Sequence, residues 1–214
     1  VYVCLARKDA PVKAFAEALE TPLIMGASMA SSSADFAMTL NNVLGTKFKI
    51  VIGYTGSRSI MLAMEKGEVQ GACGFAWPSI SVTNPDWFGP NGQMRVFVQT
   101  HVTGYPGLNQ EGVPRASEFA KTPEQREVLD LFFSHTTFGR PYFVAGEVPA
   151  DRVAALRKAF METMRDPEFM AEARRAGLDI DAVDGAETQR LVRRFYEASP
   201  EVISKVKQAL QPPQ

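Results

Sequence analysis

The stretch Phe48 to Pro78, FKIVIGYTGSRSIMLAMEKGEVQGACGFAWP, reads as strand, tight glycine turn, helix, glycine stop and a second strand. Phe48–Ile52 is a short β-branched run of the kind a buried strand requires. Gly53-Tyr54-Thr55-Gly56 lets the backbone turn sharply, and Ser57 opens a helix with Ile60, Met61, Ala63 and Met64 on one face. Gly67 stops that helix, and Val69 to Phe75 returns as the next strand. A helix that begins just past a strand's carboxyl end turns its unpaired N–H groups toward the crevice there. Those donors and the helix dipole favour an anionic ligand.

The same architecture occurs earlier. Leu23-Ile24-Met25 reads as a strand ending in Gly26-Ala27-Ser28-Met29-Ala30-Ser31-Ser32-Ser33, followed by a helix carrying Phe36, Leu40, Val43 and Leu44 up to Gly45. One serine suffices to cap a helix, and this loop holds four in six residues. Such a loop is either merely solvated or an anion site, and its repetition in tandem adds weight to the second.

Elsewhere the pattern is plainer. Val1–Leu5 and Met94–Gln99 read as strands, and Val12–Leu19 as a short helix. Residues 84–92 and 103–114 are turn-rich loops. Thr122-Pro123-Glu124-Gln125 has the cap, proline and glutamine of a helix start, with Val128, Leu129, Phe132 and Phe133 facing inward. Arg140–Val144 is expected to be a strand. From Pro149 on the chain reads as helices: one through Val153, Leu156, Phe160 and Met164, a second from Asp166-Pro167, a third over 186–197 with Leu191, Val192, Phe195 and Tyr196 inward, and a last one opening at Ser199-Pro200.

A net charge of −1 gives no electrostatic case for nucleic acid, and no apolar run approaches the ~20 residues of a membrane span. Two cysteines, Cys4 and Cys73, exclude a four-thiolate zinc site and a CxxC redox motif. They are either buried free thiols or one disulfide. Two histidines, His101 and His135, come without HExxH or a nucleophile elbow, so no catalytic set, metal site or cofactor is expected. The turns lack the P-loop lysine and the GxGxxG fingerprint of nucleotide sites. VYVCLARKDA reads as strand rather than signal peptide, which suggests a truncated or processed chain.

GYTGSRSIMLAMEKGEVQGACGFAW resembles the second-lobe signature of the Bug-type solute-binding proteins of tripartite tricarboxylate transporters, near G-Y-x-G, A-M-E-x-G-E-V-x-G, then a cysteine-glycine-aromatic strand. The resemblance continues through GRPYFVAGEVPADRVAALRKAF, MRDPEFMAEARRAGLDI and SPEVISKV. It implies a two-lobed α/β periplasmic-binding-protein-like (type II) fold. Residues 1–141 would form most of the second lobe, and 142–214 would return to the first as its C-terminal helices. Roughly a further third of the family's chain would precede Val1. The implied function is capture of a small organic acid, a carboxylate or dicarboxylate, in the periplasm for the transporter's membrane components, without catalysis, nucleic acid or direct membrane insertion. The effector domain of a LysR-type transcription regulator is the alternative, since its fold is related and it binds similar acids.

The resemblance also implies that the strands carrying Cys4 and Cys73 are neighbours joined by a disulfide. Its first loop runs near G-A-x-G-x-G-S, with Met29 and Ser31 standing here where glycines are expected. The ligand residues would then be Gly26, Ser28, Ser31, Ser32 and Ser33 from one loop and Tyr54, Gly56 and Ser57 from the other. Trp77 would wall the crevice and Arg140, in FGRPYF, would clamp a carboxylate at the hinge. Core packing competes for Trp77, and a hinge salt bridge for Arg140.

Overall fold

The structure, a computed structural model, describes residues 1–137, 141–178 and 180–212. Five strands form one sheet: β1 (Tyr2–Arg7), β2 (Leu23–Ala27), β3 (Phe48–Ile52), β4 (Gly71–Ala76) and β5 (Met94–Gln99), in the order β3-β2-β4-β1-β5. β2 runs parallel to β3 and β4, while β1 is antiparallel to both β4 and β5. The carboxyl ends of β2, β3, β4 and β5 therefore share one edge of the sheet with the start of β1.

Alternation along β1 splits the core between the two faces. Cys4 and Ala6 face one cluster, with Phe15, Phe36, Leu40 and Phe97. Val3 and Leu5 face the other, with Ile60, Met64, Phe75 and Met94. Helix α1 (Ser32–Leu44) covers the first face and α2 (Ser57–Lys66) the second. Both end where the sequence indicates, at left-handed Gly45 (φ 80°) and Gly67 (φ 77°).

Cys4 and Cys73 lie on neighbouring strands and are joined as a disulfide within the buried core. Beside them β4 carries a bulge: Val3 pairs with Phe75 and Leu5 with Ala72, leaving one extra residue on β4. Gly74 (φ 76°) absorbs it, which turns Cys73 and Phe75 to opposite faces.

Beyond the sheet, α3 (Trp77–Thr83) follows β4 directly and α4 (Pro106–Gln110) lies inside the segment expected to be loop; each opens with a proline in its first turn. The helix expected over Val12–Leu19 is a 3-10 turn, Phe15–Leu19, begun by Glu17 accepting from the Lys13 N–H at 2.7 Å. Helix α5 (Pro123–Ser134) is capped by Thr122, whose hydroxyl accepts from the Gln125 N–H at 3.1 Å. Gln125 reaches back to the Lys121 N–H and across to the Val43 carbonyl, both at 2.7 Å, tying α5 to the end of α1.

The chain divides into two compact units: residues 1–137 with 199–214, and residues 138–198. The second holds α6 (Ala150–Thr163), α7 (Pro167–Arg175) and α8 (Gly185–Glu197), with Asp166 and Asp184 capping the latter two. The last helix, α9 (Pro200–Ala209), belongs to the first unit. It buries Val202 and Ala209 and packs on α1 and α5, where Lys205 pairs with Glu124 and Asn42 donates to the Ala209 carbonyl at 2.9 Å. The sequence keeps 142–214 together; in the structure α9 instead belongs with residues 1–137.

Two expectations for the second unit are corrected. Residues 141–144 form no strand, and Tyr142 and Phe143 are almost fully exposed. The apolar stripes of α6 and α8 are not buried either: Leu156 and Val192 are about half exposed and Tyr196 is 87% exposed. Within this unit Ala173 alone is a buried apolar residue among those described, because three short helices without a sheet enclose little interior. No helix among the described residues is long and apolar enough to cross a membrane.

Candidate functional site

The two helix starts singled out in the sequence meet at the sheet's carboxyl edge. Ala27 and Ile52 are register partners at the ends of β2 and β3, and the N–H groups of Gly53 and Tyr54 both approach the Ala27 carbonyl, at 3.3 and 3.4 Å. From there the chain turns to opposite faces, α1 to one and α2 to the other. Loops that leave neighbouring parallel strands toward opposite faces open a crevice between them, where α/β sheets hold ligands.

In the first loop the Ser28 N–H donates to Ser33 Oγ at 3.0 Å, and Ser28 Oγ to Ser31 Oγ at 2.8 Å. Ser31 Oγ lies 2.8 Å from both Ser33 Oγ and the Ser28 carbonyl. These hydroxyls tie the loop to itself. Ser31 occupies the cap position of α1 without a side-chain cap bond. Its carbonyl accepts from Ala34 and Asp35, at 3.0 and 2.9 Å. The N–H groups of Ser32 and Ser33, in the first turn, have no intrahelical acceptor. Ser32 Oγ donates to the Gly74 carbonyl at 3.2 Å, joining α1's start to the β4 bulge.

Gly74 is what lets the two approach. A Cβ there would lie 2.6 Å from the carbonyl atoms of Ser32 and 2.8 Å from the Ser33 nitrogen. The sequence places Gly74 in the cysteine-glycine-aromatic strand but does not reveal this contact, which joins residues 42 apart.

The second loop is fastened by a residue the sequence reading passed over. Ser59 Oγ accepts from the N–H groups of Thr55 and Gly56, at 3.1 and 3.2 Å, and donates to the Gly56 carbonyl at 2.9 Å. A serine two residues past Ser57, at the third helical position, is the capping-box position where a side chain reaches back to the cap. Gly56, at φ 158° and ψ −175°, occupies backbone space that is nearly reserved for glycine. Ser57 is exposed at the helix start.

The remaining expected residues fall as follows. Gly26 is buried in β2; a Cβ there would crowd Val69, Ile60 and the Tyr54 ring at 3.1–3.3 Å, so its small size serves packing beneath Tyr54. Tyr54 is half-buried over the second core cluster. Trp77 sits at the end of β4, half-buried and edge-on to Phe88 with centroids 5.0 Å apart, and its N–H donates to the Val1 carbonyl. Met29, at the tip of the serine loop, is 78% exposed, and Ala30 beside it has a positive φ of 50°. Arg140 lies outside the described residues.

Neither loop, 26–33 nor 53–57, contains a charged side chain. The attraction for an anion comes from backbone N–H groups, hydroxyls and two helix dipoles. Asp35, in the first turn of α1, has its carboxyl raised above the usual range by burial, partly offset by His135. Among the described residues no group of His, Cys, Asp and Glu is placed to hold a metal ion. A separate cleft of about 400 Å³, lined by Thr103, Asn109, Arg115 and Glu118 among others, lies past the end of β5 and includes none of the expected site residues. Buried Gln99 orders that region by donating to Asn109 and to the Val113 carbonyl and accepting from the Tyr105 N–H.

No protein-family model and no curated protein sequence matches the chain. Among solved structures it is similar to a TctC solute binding protein from Polaromonas, determined without ligand. The TM-score is 0.63 at 15% identity, covering 95% of this chain and 66% of that one. It is also similar to R. palustris Rpa4515 with adipate, with a TM-score of 0.58 at 17% identity, covering 96% of this chain and 65% of that one. The chain thus spans slightly less than two thirds of the length of either. At such identities the likeness is one of fold: this chain has a periplasmic-binding-protein-like α/β fold.

Proposed function

We propose that this chain is the greater part of a solute-binding protein that captures a small organic acid at the carboxyl edge of its sheet. The observation that carries the proposal is the pair of helix starts, Ser31–Ser33 and Gly56-Ser57, leaving paired parallel strands toward opposite faces. The first-turn N–H groups of Ser32 and Ser33, with the Ser57 N–H and the Ser32 hydroxyl once it leaves the Gly74 carbonyl, supply neutral donors for a carboxylate. Trp77 and Tyr54 wall its aliphatic part. The fold shared with a TctC solute binding protein and with a structure holding adipate supports this reading. The bound acid would pass to the membrane components of a tripartite tricarboxylate transporter, which places the protein in the periplasm; binding, not turnover, is its role.

Calorimetric titration with a panel of mono-, di- and tricarboxylates, adipate included, tests this. One acid is expected to bind saturably and be recovered unchanged. Ser32→Ala should weaken it by about 1–3 kcal/mol, and Gly56→Val by more, since valine cannot hold the Gly56 backbone. Binding that neither substitution affects would refute the site, and turnover of the acid would refute the binding role.

A further inference from the structure

At the sheet's other edge, where β1 ends and β5 begins, three cations hold the backbone carbonyls of two loops, residues 8–13 and 89–90. Lys13 Nζ donates to the carbonyls of Lys8 and Ala10, both at 2.7 Å. Arg95 donates through Nη2 to that same Lys8 carbonyl at 2.6 Å, and through Nη1 to the Lys13 carbonyl at 3.2 Å. Lys8 Nζ reaches the carbonyls of Gly89 and Pro90. Two side-chain cations thus share a single carbonyl oxygen, and a third rises from the residue that bears it.

None of the three forms an ion pair with a carboxylate among the described residues. The nearby acids are otherwise engaged: Asp9 pairs with Arg7 and feels Lys13 only weakly, and Glu17 accepts from the Lys13 backbone N–H. Neutral carbonyls fix the cations' positions without neutralising their charge. The donor inventory is also incomplete. Each ammonium has three N–H groups and uses two, and Arg95 uses two of its guanidinium nitrogens. Its third, Nε, is buried with no acceptor among the described residues. A buried donor without a protein partner thus lies beside charge that no carboxylate offsets.

We propose that Lys8, Lys13 and Arg95 form a binding site for a phosphate-type oxyanion, independent of the crevice at the opposite edge. Spare N–H groups from three cations suit the several acceptor oxygens of a phosphate or phosphomonoester. Free phosphate and a phospholipid headgroup present the same chemistry.

Inorganic phosphate is titrated into the full chain against chloride at matched ionic strength, following heat and the Arg95 Nε–H resonance. Saturable binding with a shift of that resonance is expected. Lys13→Gln, at an exposed position, should weaken phosphate about ten- to hundredfold. Arg95→Lys, which keeps the charge but loses the fork, should weaken it as well. Sedimentation with phosphatidylglycerol against phosphatidylcholine vesicles identifies the source: selective capture competed by phosphate marks a headgroup, and phosphate binding without capture marks a soluble oxyanion. Phosphate that acts no differently from chloride, or binds wild type and Lys13→Gln equally, overturns the proposal.

Discussion

Gly74 holds the start of α1 against β4. It combines a positive φ with a 2.6 Å approach of any Cβ to Ser32, so Gly74→Val meets both backbone strain and steric overlap. A loss of at least about 2 kcal/mol is expected, read from chemical denaturation. Asp35 and Asp130 pose a different test. Burial raises both carboxyls above their ordinary range, against the weaker pull of His135 on the first and of Arg126 and Arg115 on the second. An acid whose folded pKa lies above its unfolded value binds more protons when folded, so stability falls as pH rises from the unfolded toward the folded value. Asp35→Asn and Asp130→Asn should remove that fall and leave each variant relatively more stable at neutral pH than at pH 3. Urea midpoints across this range that shift in parallel with wild type would contradict it.

Among the elements, the helix starts were the most legible. Thr122-Pro123 and Ser199-Pro200 cap α5 and α9 as the residues indicate, since a cap is a local bond three residues long. Thr122→Ala should cost about 1 kcal/mol; Gln125→Ala, which loses its bonds to Lys121 and Val43, should cost as much or more in the same denaturation assay. The strand–turn–helix units around β2 and β3 were legible for the same reason, their periodicity and glycines being local. What the serines do was not. Four of them read as ligand donors, yet Ser28, Ser31 and Ser33 bond one another, and Ser59 fastens the second turn. Hydroxyl partners depend on loop conformation, which residue type does not determine. The inward faces assigned to α6 and α8 failed differently: amphipathic spacing identifies which face is apolar but not whether anything covers it.

For the whole first unit, the Cys4–Cys73 bond ties the antiparallel part of the sheet to the parallel part. It was legible only through family resemblance, because two cysteines 69 residues apart do not reveal that their strands pair. Closing a loop of that length stabilises by about 4 kcal/mol on the chain-entropy model. Protein denatured without reductant should show no free thiol, and Cys4→Ala/Cys73→Ala should unfold at markedly lower denaturant; two titratable thiols would contradict this. A carboxylate is expected to bind where the chain leaves β2 and β3 toward opposite faces. Amide-resolved NMR titration with the tightest-binding acid of the panel tests it most directly. Saturable shifts are expected at Ser28–Ser33 and Gly53–Ser59, with the largest at the N–H groups of Ser32, Ser33 and Ser57. Saturable shifts centred elsewhere, such as the Thr103–Glu118 cleft, or no binding by any acid, would contradict it.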